Sequence, residues 1–88
     1  MRTKKQKARL ARIPPDPEGM NDERAGWAAD ALDTFTQNTG QTMRTIDEKQ
    51  EVLGDLLTNL RHWCDRNGVS YMTCSCSSLI HYREETKR

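Results

Sequence analysis

Apolar residues recur every three or four positions in three stretches of the chain, and polar connections separate the stretches. This spacing is typical of helices that bury one face. In the first stretch Asn21 is a candidate N-cap, carboxylates follow in the first turn, and Gly40 supplies a terminating glycine. The pattern predicts a first helix over residues 22–38.

The second stretch has the strongest apolar stripe in the chain, made by Val52, Leu53, Leu56, Leu57, Leu60, Trp63 and Cys64. Thr45 and Glu48 have the spacing of a capping box at its start, in which the threonine oxygen accepts from the Glu48 amide and the glutamate reaches back. Gly68 follows its end. We predict a helix over residues 46–67 whose stripe forms the core.

The third stretch has a less regular pattern. Ser70 is a candidate N-cap, and one side of the segment is apolar, but residues 73–78 are Thr, Cys and Ser, whose hydroxyl groups compete for the backbone. A β-strand is the alternative, although a lone strand would have no partner. We therefore predict a third helix over residues 71–84. The predicted fold class is all-α, a small three-helix bundle.

Length and composition narrow the class of protein. The 88 residues make one domain, with 34% hydrophobic and 31% charged residues. A single core in so short a chain rarely contributes more than about 3–5 kcal/mol, so a homodimer fits the composition. No apolar run approaches the roughly 20 residues of a membrane helix, and no apolar segment follows the basic N-terminus. Together with three cysteines, an odd number, this predicts a cytoplasmic protein with reduced thiols and no membrane contact.

Charge divides the chain into two parts. Residues 1–19 carry six basic and two acidic side chains, a net +4, whereas residues 20–88 carry eight basic and eleven acidic side chains, a net −3. Three prolines oppose a helix in the first part. We predict a flexible, disordered basic arm over 1–19 and a helical domain over 20–88. An alternative is that translation starts at Met20 and the arm is not native. The candidate nucleic-acid contacts in the arm are Lys4, Lys5, Lys7, Arg9 and Arg12.

The residues with metal-ligating or nucleophilic side chains do not have the spacing that such chemistry needs. Cys74 and Cys76 are too close in sequence for the usual paired zinc ligands. His62 and Cys64 point to different faces of one helix, and no oxyanion donors or orienting carboxylate accompany them. We therefore predict no catalytic residues, no metal site and no cofactor.

Three blocks of sequence carry a resemblance to known proteins. They are Asn21–Ala28, the stretch Leu56–Gly68 with its specific His-Trp-Cys-Asp-Arg-Asn-Gly run, and His81-Tyr82. They resemble a family of small uncharacterised proteins from phage, plasmid and other mobile-element settings of proteobacteria. The resemblance covers roughly residues 20–85 and implies a genomic setting, with no activity and no site residues to carry over. Residues 73–78 depart from the family's more helical and more acidic segment, which leaves the regularity of the third helix open.

Large aromatic side chains are numerous for so small a core, and such side chains anchor protein interfaces. The candidate partner-binding residues are Trp27, His62, Trp63, Arg66, Tyr71 and Tyr82. We predict a non-enzymatic binding module that contacts a host or phage macromolecule as a regulator or inhibitor. The alternative is a DNA-binding regulator that uses the third helix and the arm. The residues 71–78 oppose it, because they include no Arg, Lys, Asn or Gln to contact bases.

Overall fold

The computed structural model describes residues 13–88, and within this range it contains three α-helices and no β-strand. The helices are α1 (Asn21–Thr39), α2 (Ile46–Asn67) and α3 (Tyr71–Thr86). The predicted all-α class with three helices is confirmed, and α2 has the predicted bounds. The strand alternative for the third segment is wrong, and α3 runs two residues further than predicted.

The C-terminal ends of α1 and α2 are formed by the two glycines that the sequence predicted. Gly40 and Gly68 adopt left-handed backbone with φ of +73° and +66°, which residues with a Cβ rarely accept. Their amides donate to the carbonyl oxygens of Thr36 and Cys64 in the last turns of α1 and α2. Each glycine therefore ends its helix by satisfying a carbonyl that the helix leaves free.

Two of the three predicted N-caps are also present. The Oγ1 of Thr45 accepts from the amide of Glu48 at 3.1 Å, at the start of α2. The Oγ of Ser70 accepts from the amide of Thr73 at 3.2 Å, at the start of α3. These bonds satisfy amides of the first turn, which have no partner inside the helix. The cap from Ser70 helps to explain why a segment rich in hydroxyl side chains still begins a helix.

The predicted N-cap of α1 is wrong. Asn21 is the first residue of the helix, Met20 precedes it without a side-chain cap, and the Asp16 carboxylate caps the first helical amide from outside the helix. The carboxylate of Asp16 accepts from the amides of Gly19 at 2.9 Å, Met20 at 3.2 Å and Asn21 at 3.2 Å. Residues 13–19, which we assigned to the arm, thus include the group that caps α1, while residues 1–12 lie outside the described part of the chain.

Replacing Asp16 with alanine is expected to lower the free energy of unfolding by about 1 kcal/mol, comparable with the loss of an N-cap side chain, because the amide of Asn21 loses its carboxylate partner. The matched control is Glu18→Ala, which removes the same charge from the same turn. Glu18 makes only a 3.6 Å contact with Arg24, and exposed ion pairs of this kind contribute little. Denaturant titration of both variants measures the difference. An equal loss in the two variants would contradict the cap.

The three helices close a ring. The loop at residues 40–45 joins α1 to α2, a short turn joins α2 to α3, and the end of α3 contacts the start of α1. In an up-down-up bundle the end of α3 would lie beside the end of α1 instead. The radius of gyration is 15.3 Å, whereas a compact domain of this length has about 12 Å. The ring is therefore an open arrangement.

The predicted core is only partly formed. Among the described residues only Val52 and Cys64 are buried hydrophobic side chains, at 1% and 6% exposure. Val52 lies beside the loop at residues 40–42, and Cys64 lies next to the turn into α3. The middle of the stripe on α2 has no such cover, so Leu53, Leu57 and Leu60 remain 40–47% exposed. The expectation that the whole stripe forms a core is wrong for this reason.

Candidate functional site

The six candidate partner-binding residues are spread over all three helices. Trp27 lies on α1, and His62, Trp63 and Arg66 lie in the last two turns of α2. Tyr71 begins α3, and Tyr82 lies near its end. The described residues therefore hold two different groups of candidates: exposed aromatic side chains on three helices, and a polar corner where α2 turns into α3.

Three of the aromatic candidates are more exposed than buried. Trp27 is 62% exposed, Trp63 is 55% exposed and Tyr82 is 53% exposed. The alternative that Trp63 packs in the core is wrong, because the middle of α2 is uncovered. A tryptophan or tyrosine left half in water loses much of the stabilisation that burial of its large apolar area provides. These three side chains are available to a partner.

Tyr71 has a different role. It is half-buried, and the guanidinium carbon of Arg61 lies 4.1 Å from the centre of its ring. A cation over an aromatic face at this distance is attracted by the ring's quadrupole. This contact holds the start of α3 against the last turns of α2. Sequence analysis did not identify Arg61, because nothing in the spacing of positions 61 and 71 indicates that they meet.

The polar candidates on α2 make a local contact. The Nη1 of Arg66 donates to the carbonyl oxygen of His62 at 3.1 Å. The His62 side chain is exposed. The bond lies in the last two turns of the helix, where a positive side chain suits the helix dipole. Arg66 therefore has a structural role, and its guanidinium remains exposed on the same side.

A clasp joins the start of α1 to the end of α3. The Asn21 Nδ2 donates to the carbonyl oxygen of Glu85 at 2.8 Å, and the Arg24 Nε lies 3.2 Å from a Glu85 carboxylate oxygen. The Arg24 Nη1 also donates to the Oδ1 of Asn21 at 2.7 Å. We call Asn21, Arg24 and Glu85 the clasp. Sequence analysis missed it, since Asn21 and Glu85 are 64 positions apart in the chain.

Tyr82 belongs to a groove beside the clasp. The groove lies between the segment that precedes α1, the start of α1 and the end of α3, and it is lined by Ile13, Pro14, Asp16, Asn21, Asp22, Ala25, Tyr82 and Thr86. Its lining combines the Tyr82 ring and three apolar residues with two carboxylates. Of the candidates, Tyr82 is the one that lines this groove.

A second depression lies between α1 and the first half of α2. We call it the notch, and it is lined by Ala29, Leu32, Asp33, Met43, Lys49 and Leu53. Most of its lining surface is apolar, with one carboxylate and one ammonium group at its edge. Leu53 belongs both to the notch and to the exposed stripe of α2, so the two apolar surfaces are continuous.

Electrostatics at the start of α2 depend on Glu48. Its carboxylate accepts hydrogen bonds from the hydroxyl groups of Thr42 and Thr45. The bond from Thr42 has the largest effect and lowers the pKa of Glu48, the Thr45 bonds and the charge of Arg44 lower it further, and partial desolvation opposes them. A lowered carboxyl pKa stabilises the fold above the ordinary pKa, and this stabilisation is lost as acid protonates Glu48. The carboxylate thus holds the loop against α2.

The three cysteines differ in their exposure. Cys64 is a buried free thiol on α2, and Cys74 and Cys76 are exposed free thiols on α3. Across residues 13–88, no cluster of three or more His, Cys, Asp or Glu side chains has the geometry to hold a metal ion. The candidate arm residues Lys4, Lys5, Lys7, Arg9 and Arg12 lie outside the described residues.

None of the three described helices is long and apolar enough to cross a membrane. Comparison with protein-family models, with curated proteins and with solved structures finds no significant match for this chain. The resemblance to mobile-element proteins therefore stays a prediction.

Proposed function

We propose that the protein is a non-enzymatic binding module that acts through protein–protein contacts. The observation that carries the proposal is the exposure of large apolar side chains over residues 13–88. Eleven of them are 40–74% exposed, while only Val52 and Cys64 are buried hydrophobic residues. Single exposed apolar residues are common on protein surfaces, but neighbouring ones, such as Leu53, Leu57 and Leu60 on α2, form the kind of apolar patch that marks a site of interaction.

The heterologous contact is assigned to Trp27 and Tyr82. Aromatic side chains of this kind, when they enter a pocket on a partner, contribute most of the binding free energy at many interfaces. Tyr82 also faces the groove beside the clasp, where polar groups are available to fix orientation. The proposed target is a macromolecule of a host or phage, in keeping with the mobile-element resemblance, and the proposed effect is regulation or inhibition.

The proposal is tested by capture of partners from a bacterial lysate with matched variants. We expect one protein to be retained by the full chain and lost with Trp27→Ala or Tyr82→Ala. Gln37→Ala, an exposed change on α1, is the control and should retain it. Circular dichroism establishes that all variants keep their helices. A chain cut to residues 13–88 keeps the Asp16 cap and shows whether residues 1–12 contribute to capture.

The same experiment distinguishes the DNA-binding alternative. In that case the full chain retains duplex DNA, and a sequence-specific footprint survives at about 150 mM salt, where contacts to phosphate alone are much weakened. Changes at Tyr71 or Thr73 would then alter the sequence preference. This outcome would overturn the proposed function. We expect instead weak, salt-sensitive retention that is lost when residues 1–12 are removed.

A further inference from the structure

The exposed part of the stripe on α2 has the spacing of a helix-pairing seam. We call Leu53, Leu57 and Leu60 the α2 row. They are separated by four and three positions, which is the spacing of residues that interdigitate between two packed helices. All three are exposed although they lie on the longest helix of the described chain. Because α1 and α3 leave the row 40–47% exposed, it is accessible to a helix of another chain.

The two ends of α2 carry complementary features. The notch lies beside its first half, at the level of Lys49 and Leu53 along the helix axis. Trp63 lies in its second half, more than half exposed. If a two-fold axis passes α2 midway between Leu56 and Leu57, residue n lies opposite residue 113 − n of an antiparallel copy. Residue 63 of one copy then lies level with residue 50 of the other copy, beside that copy's notch.

We propose that the protein forms a homodimer in which α2 packs antiparallel against α2 of a second copy. Leu53 packs against the partner's Leu60, and the partner's Trp63 enters the notch between α1 and α2. The ammonium group of Lys49 at the edge of the notch lies within reach of the face of that indole. A two-fold axis repeats each contact, so the arrangement buries both α2 rows and fills both notches at once.

Charge favours the antiparallel direction. The first half of α2, residues 46–56, holds four carboxylates and one lysine, a net −3. The second half, residues 57–67, holds two arginines and one aspartate, a net +1. The four carboxylates lie on the side of α2 away from the row, so charge acts here at longer range. An antiparallel pair places −3 near +1, whereas a parallel pair in register places −3 near −3. The helix dipoles also oppose each other favourably in the antiparallel pair.

This inference rests on the proposed function in one respect, since it names the partner of one binding surface as a second copy of the chain. The surfaces differ: the dimer uses the α2 row and Trp63, and the heterologous contact uses Trp27 and Tyr82. A monomeric chain that still captures a protein through Trp27 would overturn the dimer alone. A dimer that captures nothing would overturn the proposed function alone.

The test is sedimentation equilibrium of the full chain and of single variants. We expect a mass of twice 10.2 kDa for the native chain at micromolar concentration. Leu57→Glu should give a monomer with unchanged helix content, because the side chain is already 41% exposed and two glutamates would meet at the axis. The control is Thr58→Glu, which points about 100° away on the same helix and should stay dimeric. A monomeric native chain at about 100 µM, where a standard interface would be occupied, overturns the proposal.

Two further variants address the notch. Trp63→Ala should weaken dimerisation by about 30-fold or more, as expected for an aromatic anchor that fills a pocket on its partner. Ala29→Phe, which fills the notch, should weaken it as well. If both variants dimerise as strongly as the native chain, the proposed insertion of Trp63 into the partner's notch is wrong.

The relative direction of the two α2 helices is measured by the distance between spin labels, one on each copy. The label is attached through Asp65→Cys, with Cys74 and Cys76 replaced by serine. Cys64 is buried and stays unlabelled. The expected separation is about 25 Å for an antiparallel pair, and a separation near 10 Å, as in a parallel pair, overturns the arrangement.

Discussion

Replacing Val52 with alanine is expected to lower the free energy of unfolding by about 1.5–3 kcal/mol. Val52 is 1% exposed and is the most completely buried side chain of the described residues. The change removes two methylene-sized groups and leaves a space that the loop beside it fills only in part. A chain of this size has a small stability to lose, so one such cavity removes a large part of it.

The measurement is a denaturant titration in which the midpoint moves and the slope stays constant. Glu51→Ala is the matched control, since it lies at the preceding position of α2 with an exposed side chain. It should change the free energy of unfolding by no more than about 0.5 kcal/mol. If Val52→Ala were as mild as the control, the small core would lie elsewhere.

Replacing Asn21 with alanine is expected to release the end of α3 from α1. The change removes the donor to the Glu85 carbonyl and the acceptor for Arg24, so two partly buried hydrogen bonds are lost. A buried group left without its partner costs about 1–3 kcal/mol. Amide hydrogen exchange should quicken in the last turns of α3 and change little in α2, because α2 makes no bond to the clasp.

Asp22→Ala is the control for this prediction. It changes the next position of α1, and its carboxylate is exposed. We expect it to leave the exchange of α3 unaltered. Equal exchange of α3 in native protein and Asn21→Ala would mean that packing elsewhere holds the third helix, and that the clasp contributes little.

Local interactions were predictable from the sequence, and the structure shows why. Thr45 caps an amide three positions later, Ser70 does the same, and Gly68 ends α2 within one turn. In each case both partners lie within four residues, so spacing alone specifies the contact. The bounds of α2 follow from these local rules together with its apolar periodicity.

Contacts between distant residues were not predictable in this way. Asn21 has a side chain suited to an N-cap, and sequence analysis assigned it that role, yet its amide group bonds to α3. Asp16 could cap α1 only because Gly19, with φ of +74°, turns the chain back over the helix start. Which of two suitable side chains caps a helix depends on tertiary contacts that one sequence does not reveal.

The same distinction between local and long-range contacts applies to the candidate binding residues. Periodicity identified the apolar face of α2. How much of that face is buried depends on which element covers it, and no element covers Trp63 fully, so its side chain is exposed and does not pack in a core. Trp27 and Tyr82 are exposed, and their role in binding stays a prediction. Tyr71 is instead occupied by Arg61 within the chain. Residue type thus indicated which side chains are capable of binding, and the fold determines which are free.

The clasp also brings the first turn of α1 and the last turn of α3 to one corner of the molecule. Circular permutation succeeds where chain ends lie close together and the new break falls in an exposed loop. A gene that links residue 88 to residue 13 through a short flexible linker, and opens the chain between residues 43 and 44, would encode the same helices in the order α2, α3, α1 and keep both helix caps of the loop. In such a permutant the bond between Asn21 and Glu85 becomes a contact between neighbours in sequence.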